Sequence, residues 1–389
     1  MQARLSLRRG WGSSVKVLHL INGLGASGAE VMLFNLARKL KERGVEQSLV
    51  TLMPGGSLEE RFIAEGFNPR DVGMRQGVPS VGALLRLRSE IRKSGADVVL
   101  AWLYHSCWAA SLAAPRDVPV VWGIHHTLTK LSEEKRLTRF LIQGGTWLSR
   151  RVAGYVYVSQ LSADQHFDVG YPRANAAVIP NGFDLEGLEP SERVRADVRR
   201  EQGIAEGATV FGSAARYHPN KNHIGLVEAF GAVTQGREDA VLLLAGRGVD
   251  SANQELAEAV SASGAASRIR LLGERSDMGR LMNAMDFYVS ASRWSESFPL
   301  VLGEAMATKV PCIATDLGDC AYIVGETGKV IEADNSDALQ KALAWGLNTS
   351  VEERSRLGEL ARKRVGEKFG LDPVADRYID VLKGAARPC

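Results

Sequence analysis

Cysteine is scarce in this sequence and unpatterned where it occurs. Cys107, Cys312, Cys320 and Cys389 are all there are in 389 residues, and none stands at metal-ligand spacing from another. That excludes a disulfide-stapled fold and a cysteine metal centre, and reads as free thiols in a reducing compartment. An excess of one charge is missing too. The formal net charge is +3 and the pI about 8.6, too slight a bias for a nucleic-acid binder. Uninterrupted apolar runs are also absent. The longest, Val98 to about Ala114, is broken by His105 and Ser106, so it reads as a buried strand and a short helix, not a membrane span. The opening MQARLSLRRGWGSS is basic but has no apolar stretch, which argues against a secretory signal. It reads as a tail, or as a weak tether to an anionic membrane. No Asp-x-Asp metal motif, internal repeat or low-complexity tract stands out.

What is present is ordinary globular composition, 45% hydrophobic and 24% charged, with length enough for two cores. Strand-like and helix-like segments alternate twice, which predicts α/β architecture with parallel sheets covered by helices. The first half opens with VKVLHLI, a glycine loop and the amphipathic AEVMLFNLARKLKERG. QSLVTLM, ADVVLAWL, VPVVWGI, GYVYVS and AAVIP are its further strand candidates. The second half restarts at ATVFGSAA and continues through AVLLLAG, RIRLLG, DFYVSAS, VPCIATD and GKVIEA. A polar, charged stretch separates the halves, which places the hinge near Asn181–Glu189.

Three local patterns point to chemistry. Gly23, Gly25 and Gly28 fit G-x-G-x-x-G between a strand and a helix. A dinucleotide site would want an acid after the second strand, but that strand ends TLMPGG and Glu46 precedes it. What survives is a loop that lets backbone approach an anion at a helix N-terminus, or a tight turn without a ligand. Second, Arg216 and Lys221 bracket a His-Pro-Asn turn after ATVFGSAA, where two cations could converge on a diphosphate. A solvated charge pair is the alternative. His218 and His223 there lack a third partner for a metal. Third, SRWSESFPLVLGEAMAT holds Glu296 and Glu304 with seven residues between them. Pro299 suits the first helical position. Glu304 then lies roughly 8 Å along the helix axis from its start, and the amides from Phe298 to Val301 face out of the helix tip. A ligand with phosphates in its middle and hydroxyls at both ends, such as a nucleotide sugar, fits that arrangement.

Together these stretches resemble the retaining GT-B glycosyltransferases of family 4. GASGAE (25–30), VIPNGFD (178–184), ARYHPNKNH, LLLAGRG (242–248), the Glu-x7-Glu of 296–304, VPCIATDLG and ETGKV occur in the family's order. The resemblance covers nearly the whole chain from Val15. It implies two Rossmann-like domains across a cleft: an acceptor domain of 15–183 completed by 370–389, and a donor domain of 184–369. By the same resemblance Arg216 and Lys221 neutralise the diphosphate leaving group and Glu296 holds donor-sugar hydroxyls. Phe298, Pro299 and Leu300 touch sugar and phosphate, Glu304 binds the ribose, and Gly25 contacts phosphate in the closed cleft. Gly28, Asn181 and Gly246 belong to matching motifs at the donor site. A histidine near the anomeric centre is His126, with His125 as the alternative. Ser27 and the Ala-Ala before Arg216 depart from the family's glycines without removing a charge.

The implied reaction is retaining transfer of a hexose or N-acetylhexosamine from a nucleoside-diphosphate sugar, a co-substrate, with no metal and no cofactor. The acceptor would be a glycan or polyprenyl-linked molecule of cell-surface biosynthesis. The location would be the cytoplasm or, peripherally, the inner face of the membrane. KRLTRFLIQGGTWLSRRVAG (135–154) could lie on an anionic surface or be a core helix with a basic face. The rival readings are a GT-B-fold nucleotide-sugar epimerase, an NAD-type oxidoreductase and a non-catalytic nucleotide-sugar binder.

Overall fold

Runs such as VVLAWL and AVLLLAG are apolar at every position, the pattern of strands covered on both faces. The computed structural model describes residues 15–25, 27–75, 80–128, 131, 135–294 and 296–386. The basic N-terminal stretch and Cys389 lie outside the described residues. Strands β1 (Lys16–Ile21), β2 (Glu46–Thr51), β3 (Arg70–Asp71), β4 (Val98–Trp102), β5 (Val120–Ile124), β6 (Gly154–Tyr157) and β7 (Ala176–Val178) form one sheet in the order 3-2-1-4-5-6-7. Strands β8 (Thr209–Ala214), β9 (Ala240–Ala245), β10 (Ile269–Leu271), β11 (Phe287–Ser290), β12 (Cys312–Thr315) and β13 (Lys329–Ile331) form a second, in the order 10-9-8-11-12-13. The pairings within both sheets are parallel. Two Rossmann-like α/β units result, as the alternation predicts. The fragment Arg70–Asp71 is a strand that no apolar run announces.

In each sheet the strand order reverses at one place, between β1 and β4 and between β8 and β11. Crevices open beyond the carboxyl ends of strands at such reversals. The glycine loop follows β1, the Arg216–Lys221 turn follows β8, and the Glu296 loop follows β11. The topology therefore gathers the three patterns at strand ends where ligands can reach them.

Two chain crossings join the units side by side. Phe183 N–H donates to the Phe369 carbonyl (2.8 Å), and Leu371 N–H donates back to Phe183 (3.0 Å). The Phe183 ring lies on the helix Leu300–Ala307, where a Cβ on Gly303 would stand 2.1 Å from it. That contact explains a helical glycine, which otherwise costs about 1 kcal/mol against alanine. The last helix, Leu371–Ala386, packs into the first unit. Tyr378 stacks on the buried Trp102 (6.0 Å, 17°), and Arg43 bonds Asp372 and Asp376.

At the amino end of β11, buried Asp286 is surrounded by cations. Arg195 (2.6 Å), Arg199 (2.7 Å) and Arg354 (3.1 Å) contact its carboxylate, and the Val210 N–H donates to it (2.7 Å). Among the described residues no helix is long and apolar enough to cross a membrane.

Candidate functional site

Proline fixes the backbone at 219, and a short 3-10 turn, Pro219–Lys221, follows, closed by His218 accepting from the Asn220 N–H. Asn222 then takes a left-handed conformation (φ 55°), which asparagine tolerates, and starts the helix His223–Val233. Asn220 ties this turn to the loop after β11. Its carbonyl accepts from the Arg293 N–H (2.8 Å) and its Oδ1 from the Trp294 N–H (2.8 Å). That double bond between loops brings Lys221 and Glu296, 75 residues apart in sequence, into an ion pair. Ser292 also donates to Glu296. Arg216 stands exposed beyond the end of β8 and makes no ion pair among the described residues.

Gly246 forms the floor behind it. Its φ of +143° is open to glycine alone, and a Cβ there would lie 2.0 Å from the Ala215 carbonyl and 3.1 Å from the Arg216 nitrogen. Beneath the turn, the Tyr288 hydroxyl donates to the Ala214 carbonyl (3.1 Å). Burial raises this phenol's pKa, and the fields of Cys312, Glu296 and Glu304 add to the rise.

The helix carrying Glu304 begins at Leu300, one residue later than the sequence reading places it. Pro299 occupies the N-cap and no side chain caps the tip. Pro299 has no N–H, so of the three residues Phe298, Pro299 and Leu300 only the first and last can offer an amide to a ligand. The Phe298 ring is buried against Phe183 (6.2 Å) and Phe369 (5.6 Å), at the chain crossing. The carboxylate of part-buried Glu304 has no hydrogen-bond partner among the described residues, and burial raises its pKa from 4.5 to about 6.

The other unit meets this tip. A Cβ on Gly28 would stand 3.8 Å from Leu300 Cδ1, while one on Gly25 would meet nothing within 4 Å. The first glycine loop therefore borders the helix tip and leaves room beside it. Thr127 N–H donates to Ser297 Oγ (3.1 Å), which sets His126 one residue from a contact between units. His126 packs edge-on against Tyr104 (5.8 Å, 78°). His125 instead stacks on Trp102 (4.7 Å, 21°), and burial lowers its pKa to about 4. Asn181 is placed beside His125, where its side chain opposes part of that fall, and not with the charged group.

A hollow of about 370 Å³, lined among others by Tyr217, His218, His223, Glu228, Arg293 and Asp334, lies behind the 217–222 backbone and includes none of the four charged candidates. Ser292, Ser297 and Asn220, which hold the loops together, carry no chemical signature of their own in the sequence. Only the Ser-x-x-x-Glu spacing of 292–296 hinted at one of them.

The chain as a whole matches known proteins. A family model described as Glycosyltransferase Family 4 matches residues 26–186, and one described as Glycosyl transferases group 1 matches 208–349. The phosphatidyl-myo-inositol mannosyltransferase of Mycobacterium leprae is 27% identical over 345 residues, covering 83% of this chain and 84% of that protein. An Escherichia coli UDP-Gal:alpha-D-GlcNAc-diphosphoundecaprenol alpha-1,3-galactosyltransferase is 28% identical over 215 residues, 53% of this chain and 54% of its own length. Among solved structures, Anabaena HepE in complex with UDP superposes with a TM-score of 0.82 at 21% identity, over 95% of this chain and 100% of that one.

Proposed function

Since this chain belongs to the family 4 glycosyltransferases of GT-B architecture, we propose that it moves a hexose or N-acetylhexosamine from a nucleoside-diphosphate sugar to a glycan or lipid-linked acceptor, with retention of configuration. The observation that carries this is the Lys221–Glu296 pair at a helix tip without a side-chain cap, with the first glycine loop on its other side. The diphosphate would lie at that tip, where amide N–H groups and the helix dipole favour anions. Lys221 would turn from Glu296 to the phosphate, and Arg216 would add its fork. Glu296, relieved of its cation, would accept from donor-sugar hydroxyls, and Glu304 from the ribose.

Arg216 and Lys221 stabilise the charge that grows on the leaving phosphate, and the phosphate oxygen takes the acceptor proton during front-face attack. His126 would lie beside the anomeric carbon. With two cations supplying that stabilisation, no metal is required and transfer would persist in EDTA. Relatives named for mannosyl and galactosyl transfer to lipid acceptors favour such substrates here.

A thermal-shift panel of nucleotide sugars tests the reading. One cognate donor at about 100 times its Kd should stabilise the protein by about 2.7 kcal/mol. Product analysis should then show the sugar on the acceptor in the donor's own anomeric configuration. An epimerised donor formed without acceptor would overturn transfer.

A peripheral membrane site is a second part of the proposal. On the helix Arg136–Leu148, Leu137, Phe140 and Trp147 are 43%, 61% and 59% exposed, and Arg151 lies 4.4 Å over the Trp147 ring. Apolar anchors beside basic residues suit an anionic bilayer. Flotation with anionic vesicles, and not with neutral ones, is the expected outcome.

A further inference from the structure

Ser297, the residue after Glu296, is bonded from both units. Thr127 of the first unit donates its N–H to Ser297 Oγ (3.1 Å), and Asp319 donates its N–H to the Ser297 carbonyl (2.9 Å). Gly318 makes the second approach achievable. Its φ is +54°, and a Cβ there would stand 2.1 Å from the Glu296 carbonyl. Asp319 is 5% exposed and its Oδ2 has no partner among the described residues.

The Asp319 carboxylate also faces the other unit, where the Ser159 hydroxyl offsets part of the rise that burial gives its pKa. Ser159 is the N-cap of the helix Gln160–Val169, accepting from the Ser162 N–H (3.0 Å). Ser162 in turn donates its hydroxyl to the His126 carbonyl (2.6 Å). Two short routes therefore connect Glu296 with His126. One is bonded throughout, by way of Ser297 and Thr127; the other runs from Ser297 to Asp319, across to the facing Ser159, and on to Ser162.

We infer that Ser297 and Asp319 are positioning residues that latch the two units, fixing where the His126 segment stands relative to the Glu296 loop. Neither touches a reacting atom. A side chain on one unit determines the placement of backbone on the other, and both placements meet at the sugar. Loosening the latch misplaces the acceptor side against the donor side while leaving the donor's own contacts intact.

A charge pair tests this directly. Ser159→Asp keeps a good N-cap but opposes a second carboxylate to Asp319. Its kcat should fall about 10-fold, within the usual range of coupling between sites, while the donor KM moves less than about 2-fold. Adding Asp319→Asn removes the repulsion and should restore kcat to within about 3-fold. Small-angle scattering follows the same pair without turnover: the radius of gyration rises in Ser159→Asp and returns in the double variant. Should Ser159→Asp fail to fold, Asp319→Ala against Asp319→Asn makes the comparison, with the loss confined to alanine.

Wild-type rates and radius in Ser159→Asp, or a defect that Asp319→Asn leaves in place, would overturn the latch. The kinetic arm rests on the glycosyltransferase reading. A wild-type protein that transfers no sugar counts against that reading, and the scattering arm still decides the latch.

Discussion

Asp286 and Glu296 lie at opposite ends of β11, and their surroundings are opposites too. At the amino end Asp286 meets three arginines and a backbone N–H. At the carboxyl end Glu296 shares one lysine, Arg216 has no ion partner and the Glu304 carboxylate accepts no hydrogen bond among the described residues. The first end is saturated, so a newcomer finds nothing left to bind. The second keeps donors and acceptors unspent, which costs stability and leaves binding capacity. One short strand thus separates a fastening from a workplace.

The contrast can be broken most severely at its saturated end. Asp286→Ala strands three guanidinium groups, two of them largely enclosed, and should cost about 3–5 kcal/mol in urea unfolding. A loss below about 1 kcal/mol would mean the cluster is ornamental. At the other end, Arg216→Ala should leave unfolding nearly unchanged and lower kcat by about 10²–10³-fold, measured with saturating donor. Unchanged turnover would remove Arg216 from leaving-group stabilisation.

The smallest effect sharpens the comparison through pH. Glu304 rises from 4.5 to about 6 because the fold disfavours its charge. The protonated acid is the form the fold accepts, so the relative stability is full below about pH 4.5 and is lost as pH rises through 6. Glu304→Gln should therefore stabilise the ligand-free protein at pH 7.5 by about 1–2 kcal/mol, and by almost nothing at pH 4.5. Thermal melts at the two pH values read the difference. The same variant should bind donor less tightly.

The sheets were legible because their central strands are covered on both faces and so spell continuous apolar runs, as in VVLAWL and AVLLLAG. Arg70–Asp71 was not, since a two-residue edge strand of charged residues carries no such run. The helix tip at Leu300 was legible to within a residue, because proline can end or begin a helix from adjacent positions. Contacts across long sequence gaps were beyond reading. The Lys221–Glu296 pair depends on Asn220 bridging two loops, and the Ser297 junction depends on how two separately folded units meet. Nothing in local periodicity encodes either. Nor does the motif distinguish His125 from His126: one stacks on a buried tryptophan and the other stands beside the junction.

The chain passes between units twice at one spot, where Phe183 pairs with Phe369 and Leu371. Its final helix is built into the first unit's interior. A clean cut at the linker would consequently strip the first unit of a wall and expose Trp102. Anyone exchanging second units between relatives would need two splice points, one on each passing segment, and the graft would take its seam from whichever parent supplied both.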